Sequence, residues 1–421
     1  MACGVHLPRH GRQRWVVSLA SMRKVMIVAY KNQKENMTDF NNVPNRRNSN
    51  SIKWLMYPKD VLPMWVADMD FPAPKPILSK LHKAIDHGVM GYEMPTPALL
   101  ETVAARMDRL YGWKVKPEAV VAVTGIVSGF SVAARMSCTP KRGLLVQTPV
   151  YNEFHEVKTN LGVPQLDAPL VRRVNGNVLS YEIDWDIFEK QVKKAGMFLL
   201  CNPHNPLGII YSRKDLLKMA ELCIKNDVLI VSDEIHSELI LDGNKFTPMA
   251  KLSAEIAKHT ITLVSPSKTF NVPGLFCGFA VIPNEDLRKR YEQEVGKLRL
   301  HVSSSGLYAA EAAFSGQCDG WLRDLLRYLT GNRDFISEYV TQYMPEVRVT
   351  IPDATYLGWL DFSQLGLDGS PYEYFLKNAK VAVSDGRIFG KAGEGHIRLN
   401  FGTSRKLLEQ GLERMRRSLR K

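Results

Sequence analysis

Nothing in this chain approaches the run of about 20 apolar residues that a membrane-spanning helix needs. Every apolar stretch is broken by a charge, a proline or a glycine. The six cysteines (Cys3, Cys138, Cys201, Cys223, Cys277 and Cys318) include no Cys-x-x-Cys pair and no metal-ligand rhythm. That pattern argues against a disulfide framework and against a metal site, and for thiols kept in a reducing compartment. Internal repeats and low-complexity tracts are missing too. What remains, 45% apolar and 24% charged residues in a chain of 421, is the composition of an ordinary globular protein with too much chain for one simple core. The expectation is a soluble, cytoplasmic protein of two domains that does not associate with membranes.

A net charge of +13 raises the question of nucleic acid. Its distribution answers it: seven Lys/Arg against one Glu fall in residues 1–36, and seven against two Glu in residues 405–421, which leaves the body near neutral. No nucleic-acid partner is expected. The first 36 residues also look foreign to the rest, and their apolar stretch from Trp15 to Ala20 is too short for a good signal peptide. They read as an extension from an upstream start, with Met37 opening the protein proper; composition alone also permits a transit peptide.

From Ile77 onward, helical patterns alternate with short apolar runs, as in an α/β protein with a largely parallel sheet. Three runs matter: Phe198 to Cys201, Val228 to Ser232 and Thr260 to Val264. Between the first two lies an amphipathic helix over about 213–226, with Ser212 as N-cap, Asp215 as its capping-box partner, and Leu216, Met219, Ala220, Cys223 and Ile224 on one stripe. Open parallel sheets bind ligands beyond the carboxyl ends of their strands. From about Trp321 the pattern shifts to mixed helix and strand, including Val347 to Ile351 and Leu357 to Phe362, and reads as a smaller α+β domain.

After the first run comes NPHNPLG (202–208), after the second Asp233-Glu234-Ile235-His236, and after the third SPSK (265–268). Singly these are weak: a Lys after a strand is usually a solvated cation and an Asp a helix cap. Together they bring an amide, an acid and a Ser/Lys pair to one crevice. Pyridoxal 5′-phosphate chemistry asks for that set, with a buried carboxylate to keep a pyridinium nitrogen protonated and an amine to form a Schiff base and carry protons.

Here the chain resembles a known family. PMWVADMDFPAP (63–74), GYE (91–93), TPVYNEF (148–154), NPHNPLG, SDEIHSEL (232–239), SPSKTFNVPGL (265–275) and HIRLNFG (396–402) are similar to the fold-type I pyridoxal phosphate enzymes of the aminotransferase class I/II superfamily. Within it, the chain most resembles the MalY/PatB group of cystathionine β-lyase-like C–S lyases. The resemblance runs from about Met37 to the C-terminus. It implies an aspartate aminotransferase-like fold, with a mostly parallel seven-stranded sheet between helices in a large domain (77–320). The small domain would comprise an N-terminal segment (37–76) and residues 321–421.

By that resemblance Lys268 holds the cofactor as a Schiff base and Asp233 pairs with the pyridine nitrogen. Asn205 and His236 reach the ring oxygen O3′, and Tyr151 stacks on the ring. The phosphate lies on the turn at Gly125, Ile126 and Val127, where helix-start N–H groups favour an anion. Ser265 and Ser267 add hydroxyls, and Tyr92 reaches the phosphate from the other subunit of a homodimer. Arg398 pairs with the substrate α-carboxylate, beside Asn205 and Tyr151. One departure stands out: many aminotransferases carry a phosphate-binding Arg eight residues after the lysine, where this chain has Phe276. The lyase-like group often lacks that Arg too. Specificity walls are expected near Trp65, Asp68 and Tyr356.

The implied reaction is α,β-elimination of S-substituted cysteines to a thiol, pyruvate and ammonia. An amino-acid aminotransferase is the alternative, since both begin with the same steps. A third reading, a lyase with an added regulatory binding role, belongs to another class and is disfavoured by the near-neutral body and full catalytic set.

Overall fold

The central feature is a seven-stranded sheet built from β1 (Val120–Val123), β2 (Gly143–Val146), β3 (Gln165–Asp167), β4 (Ala195–Cys201), β5 (Leu229–Asp233), β6 (Thr260–Val264) and β7 (Gly278–Val281). The protein is represented by a computed structural model that describes residues 38–420, so the extension read over 1–36 lies outside the described residues. The strand order is β1-β7-β6-β5-β4-β2-β3, parallel except for β7, which runs antiparallel to both its neighbours. Strands β4 and β6 are buried at every position. Continuous apolar runs such as AGMFLLC therefore suit them, because helices cover both faces of a parallel sheet.

The covering helices follow their sequence signals. Helix Arg213–Lys225 is capped by Ser212, whose hydroxyl accepts from the Asp215 N–H, and it buries Leu216, Met219, Ala220 and Cys223. The expected capping box is corrected in one detail: the Asp215 carboxylate accepts from the Ser212 hydroxyl at 2.5 Å instead of reaching back to a backbone N–H. Helix Ile126–Ser137 packs on the opposite face through Phe130, Val132 and Ala133.

A second, six-stranded sheet runs Ser384–Asp385, His396–Asn400, Leu357–Asp361, Arg348–Thr350, Val178–Ile183, Leu170–Asn175. Its last two strands form a hairpin taken from between β3 and β4, so this sheet draws on chain far from residues 321–421. The 25-residue helix Asp319–Tyr343 and the terminal helix Arg405–Leu419 pack against each other. Near the other end of the chain, Leu62–Pro63 pairs in parallel with Val381–Ala382, which brings the Trp65–Phe71 segment over the carboxyl ends of the central strands.

Candidate active site

The strand register sets the floor of the site. Cys201 at the end of β4 lies opposite Asp233 at the end of β5, and Asp233 opposite Leu263 on β6. The residues that follow these ends, Asn205, His236 and Lys268, therefore emerge on one edge of the sheet. With Asp233 they line a single cavity of about 640 Å3. Tyr151, Gly125, Ile126, Val127, Ser265, Ser267 and Arg398 line it as well. Among the described residues expected to hold cofactor or substrate, Tyr92 alone stands apart, wholly exposed on the loop after helix Lys75–His87.

Three charged groups dominate the electrostatics. Asp233 is buried, and its Oδ1 accepts from the Ile235 N–H at 3.1 Å. Burial pushes its carboxyl up to about 7, and that hydrogen bond and the Lys268 charge counter this only in part. The part-buried Lys268 donates from Nζ to the Ala67 carbonyl at 2.7 Å. Burial, then the Arg398 charge, lower its amine to about 8 against the opposing pull of Asp68 and Asp233. Arg398 is buried on the second sheet, donating to Asn205 Oδ1 at 3.1 Å and, from Nη2, to the Trp65 carbonyl and Ser384 Oγ. Phe389 lies under its guanidinium, 4.9 Å from ring centroid to Cζ.

His236 is held neutral, lowered to about 3 by burial and then by the charges of Lys268 and Arg398. Its Nδ1, like Arg398 Nε, is buried without a hydrogen-bond partner among the described residues. Such atoms are costly unless something completes them. Burial raises the Tyr151 hydroxyl to about 12, so it stays protonated.

The helix that starts at Ile126 has Gly125 as its N-cap with no side-chain cap. First-turn N–H groups have no acceptor within their own helix, so they are open to an anion. Gly125 is extended, at φ 166°, so no backbone strain demands glycine there. A Cβ at Gly125 would meet no protein atom within 4 Å, which leaves room at the cavity wall for a ligand group. Thr124 and Ser128 share a hydrogen bond at 2.7 Å beside this turn. Ser265 Oγ lies 2.7 Å from the Cys277 carbonyl it donates to and 2.9 Å from Ser267 Oγ, so Ser267 has the freer hydroxyl. Phe276 lines the cavity at the position where many aminotransferases carry a phosphate-binding arginine. The cationic side chains lining the cavity are therefore Lys268 and Arg398.

An uncompensated buried acid, a lowered lysine, a helix-start anion cradle and orphaned donors fit pyridoxal phosphate. Two expected specificity walls are corrected. Trp65 does line the cavity, but Asp68 pairs with Arg46 at 2.7 Å, and Tyr356 sits behind the wall with its hydroxyl on the Ala67 carbonyl at 2.9 Å. Sequence reasoning also passed over Cys201, Ser384 and the carbonyls of Trp65 and Ala67. Backbone acceptors leave no trace in residue type, whereas Cys201 and Ser384 fall near motifs that could have drawn attention.

Comparison with known proteins agrees with this geometry. The family model described as aminotransferase class I and II matches residues 59–415. Cystathionine β-lyase PatB of Bacillus subtilis is 38% identical over 390 residues, covering 90% of this chain and all of the relative. The crystal structure of cystalysin from Treponema denticola, which contains pyridoxal 5′-phosphate, superposes with a TM-score of 0.87 at 30% identity, covering 91% of this chain and 99% of that one. An aspartate aminotransferase of Pyrococcus abyssi is more distant at 24% identity, over 86% of this chain and 92% of the relative. The chain belongs to the aminotransferase class I and II family of fold-type I pyridoxal phosphate enzymes, in its cystathionine β-lyase-like branch.

Proposed function

We propose that the chain is a pyridoxal phosphate-dependent C–S β-lyase that cleaves S-substituted cysteines, cystathionine among them, to a thiol, pyruvate and ammonia. The observation that carries this is the convergence of Lys268, Asp233 and Arg398 on one cavity, in a chain 38% identical to a cystathionine β-lyase. When bound, pyridoxal phosphate supplies an aldehyde that joins to amines and a cationic ring that accepts the electron pair released at the substrate Cα.

The residues divide the remaining work. Asp233 would face the ring nitrogen and keep it protonated. Asn205 and neutral His236 would hold the ring oxygen, and Tyr151 would cover a ring face. The helix start at Gly125, Ile126 and Val127 would take the phosphate with Ser267 and Ser265. Arg398 takes the substrate α-carboxylate through its unpartnered Nε, the Asn205, Trp65 and Ser384 contacts fixing its plane. Lys268 would take the substrate α-proton at Nζ; an amine lowered to about 8 is neutral in a useful fraction at working pH. The thiolate leaves Cβ with the C–S electron pair, and water converts the remaining three-carbon enamine to pyruvate and ammonia.

Incubation with cystathionine, with and without 2-oxoglutarate, tests the reading. Thiol and pyruvate formed without a keto acid are the expected result, and a strict keto-acid requirement would turn the assignment to an aminotransferase. We also assign a homodimer in which Tyr92 reaches the phosphate of the other subunit. Its support is the exposed apolar run Ile85, Val89, Met90, Tyr92 and Met94, which a lone soluble chain rarely leaves bare. A cytoplasmic location is consistent with five free cysteines among the described residues, and no helix there is long and apolar enough to cross a membrane.

A further inference from the structure

Lys268 and the Trp65–Phe71 segment are 200 residues apart in sequence, yet one side chain ties them together. Asn271, three residues after Lys268, accepts from the Met69 N–H at 2.9 Å and donates to the carbonyls of Met69 (2.9 Å) and Phe71 (2.7 Å). Three backbone hydrogen bonds from one amide use its acceptor and both its donors. Asn271 adopts a left-handed backbone, at φ 55°, which asparagine tolerates better than most residues. The same segment is tied to the second sheet by Asn400, which donates to the Val66 and Asp68 carbonyls at 2.6 Å. Of these two asparagines, Asn271 sits on the loop that carries the lysine.

The segment's Ala67 carbonyl receives the Lys268 amine at 2.7 Å and the Tyr356 hydroxyl at 2.9 Å. We infer that Asn271 is a positioning residue: by registering this segment against the lysine loop, it keeps the Ala67 carbonyl as the acceptor that docks the Lys268 amine whenever that amine is not joined to the cofactor. The inference rests on Lys268 being the cofactor lysine. Its chemical sense lies in the lone pair. A neutral amine that gives one N–H to a fixed carbonyl has its lone pair aimed by the remaining geometry, whereas an untethered amine samples all three rotamers about its last bond.

The charged and titratable groups facing Lys268 are Arg398, Asp68 and Asp233, with neutral His236 beside them. A carbonyl acceptor favours the ammonium over the amine, so the docking bond holds the Lys268 titration up and its loss lets it fall. Tyr356 competes for the same carbonyl, and removing its hydroxyl leaves that carbonyl to the amine alone.

The test uses the full chain freed of cofactor and follows the rate of pyridoxal phosphate uptake by absorbance from pH 6.5 to 9.5, with borohydride trapping to locate the adduct. Asn271→Gly keeps the left-handed backbone and removes the amide. Its uptake midpoint is expected about half to one pH unit below that of the unsubstituted chain. Tyr356→Phe, a near-isosteric change that preserves the fold, is expected to move the midpoint upward. Shifts of opposite sign support the inference. Midpoints that stay put, or that move together, overturn it and leave Asn271 a purely structural tie. If Asn271→Gly fails to fold, the Tyr356→Phe shift decides alone: upward supports, unchanged or downward overturns. A trapped adduct on any residue other than Lys268 in the unsubstituted chain would instead defeat the cofactor reading itself.

Discussion

Asp70 and Asp233 are both buried aspartates, and their surroundings push them in opposite directions. Asp70 accepts from Arg46 Nη1 at 2.8 Å, Trp54 Nε1 at 2.9 Å and Lys53 Nζ at 3.0 Å. Burial would raise its carboxyl, but Lys53, Trp54 and Thr403 hold it below the usual carboxylate range. Asp233 has one backbone hydrogen bond and is pushed up to about 7. The lysines divide the same way: Lys53 is buried at 1% exposure against Asp70, whereas Lys268 donates to a neutral carbonyl and is lowered to about 8. A buried charge that finds its partner within the chain belongs to the architecture. One left without a partner is poised for a ligand that completes it.

The largest effect that would break this comparison is at Lys268. Lys268→Ala should abolish the borohydride-reducible cofactor adduct and lower pyruvate formation at least about 10³-fold. Retention of the adduct would place the covalent link elsewhere and undo the distinction between the two lysines. Next come the aspartates. Asp233→Asn should cost about 10²- to 10³-fold in kcat while leaving the melting temperature of the cofactor-free protein unchanged or higher, because it removes an uncompensated buried carboxyl. Asp70→Asn should do the reverse. It takes from the buried Lys53 its nearer carboxylate, leaving the longer contact to Asp68 at 3.7 Å, and costs about 3 kcal/mol of stability, read as a fall in melting temperature. Equal losses of stability from the two substitutions would erase the contrast. A smaller effect is expected at Arg398, where Lys keeps the charge but loses the planar fork; Arg398→Lys should lower kcat/KM about 10- to 100-fold, mostly through KM.

Sequence and structure agree where the pattern is local. The run Phe198 to Cys201, the amphipathic stripe from Leu216 to Ile224, of which the structure fully buries all but Ile224, and the residues just past each strand end follow from periodicity and from the rule about carboxyl edges. Lys268, Asp233, Asn205 and His236 were legible for that reason. What escaped depends on distant partners. Asp68 read as a pocket wall, yet Arg46, 22 residues earlier, takes it. The hairpin 170–183 joins a sheet whose next strand begins at Arg348, and nothing in its alternating polar pattern names that neighbour. The grip of Asn271 on Met69 and Phe71 spans 200 residues or more, and its acceptors are backbone atoms, which every residue possesses.

The finest probe of the contrast is the pH dependence of stability in the cofactor-free protein. The folded-state carboxyl of Asp233 is raised, so between about pH 4 and 7 the folded chain holds a proton there that the unfolded chain has released. The stability this contributes is full below the unfolded value and is lost as pH rises through about 7. Glu234, raised to about 8 by burial, acts in the same direction. Asp70 is lowered, so its contribution is present above the unfolded value and disappears only in stronger acid. Between pH 5 and 7.5, therefore, Asp233 adds a downward slope and Asp70 adds none. The melting temperature of the cofactor-free protein should fall a few degrees further across that window than that of Asp233→Asn. Saturation with pyridoxal phosphate should remove the difference, since a ring cation beside Asp233 keeps it ionised at both ends of the window. A slope that persists unchanged in Asp233→Asn would mean that Asp233 is already paired in the folded chain, as Asp70 is, and the two aspartates would no longer be opposites.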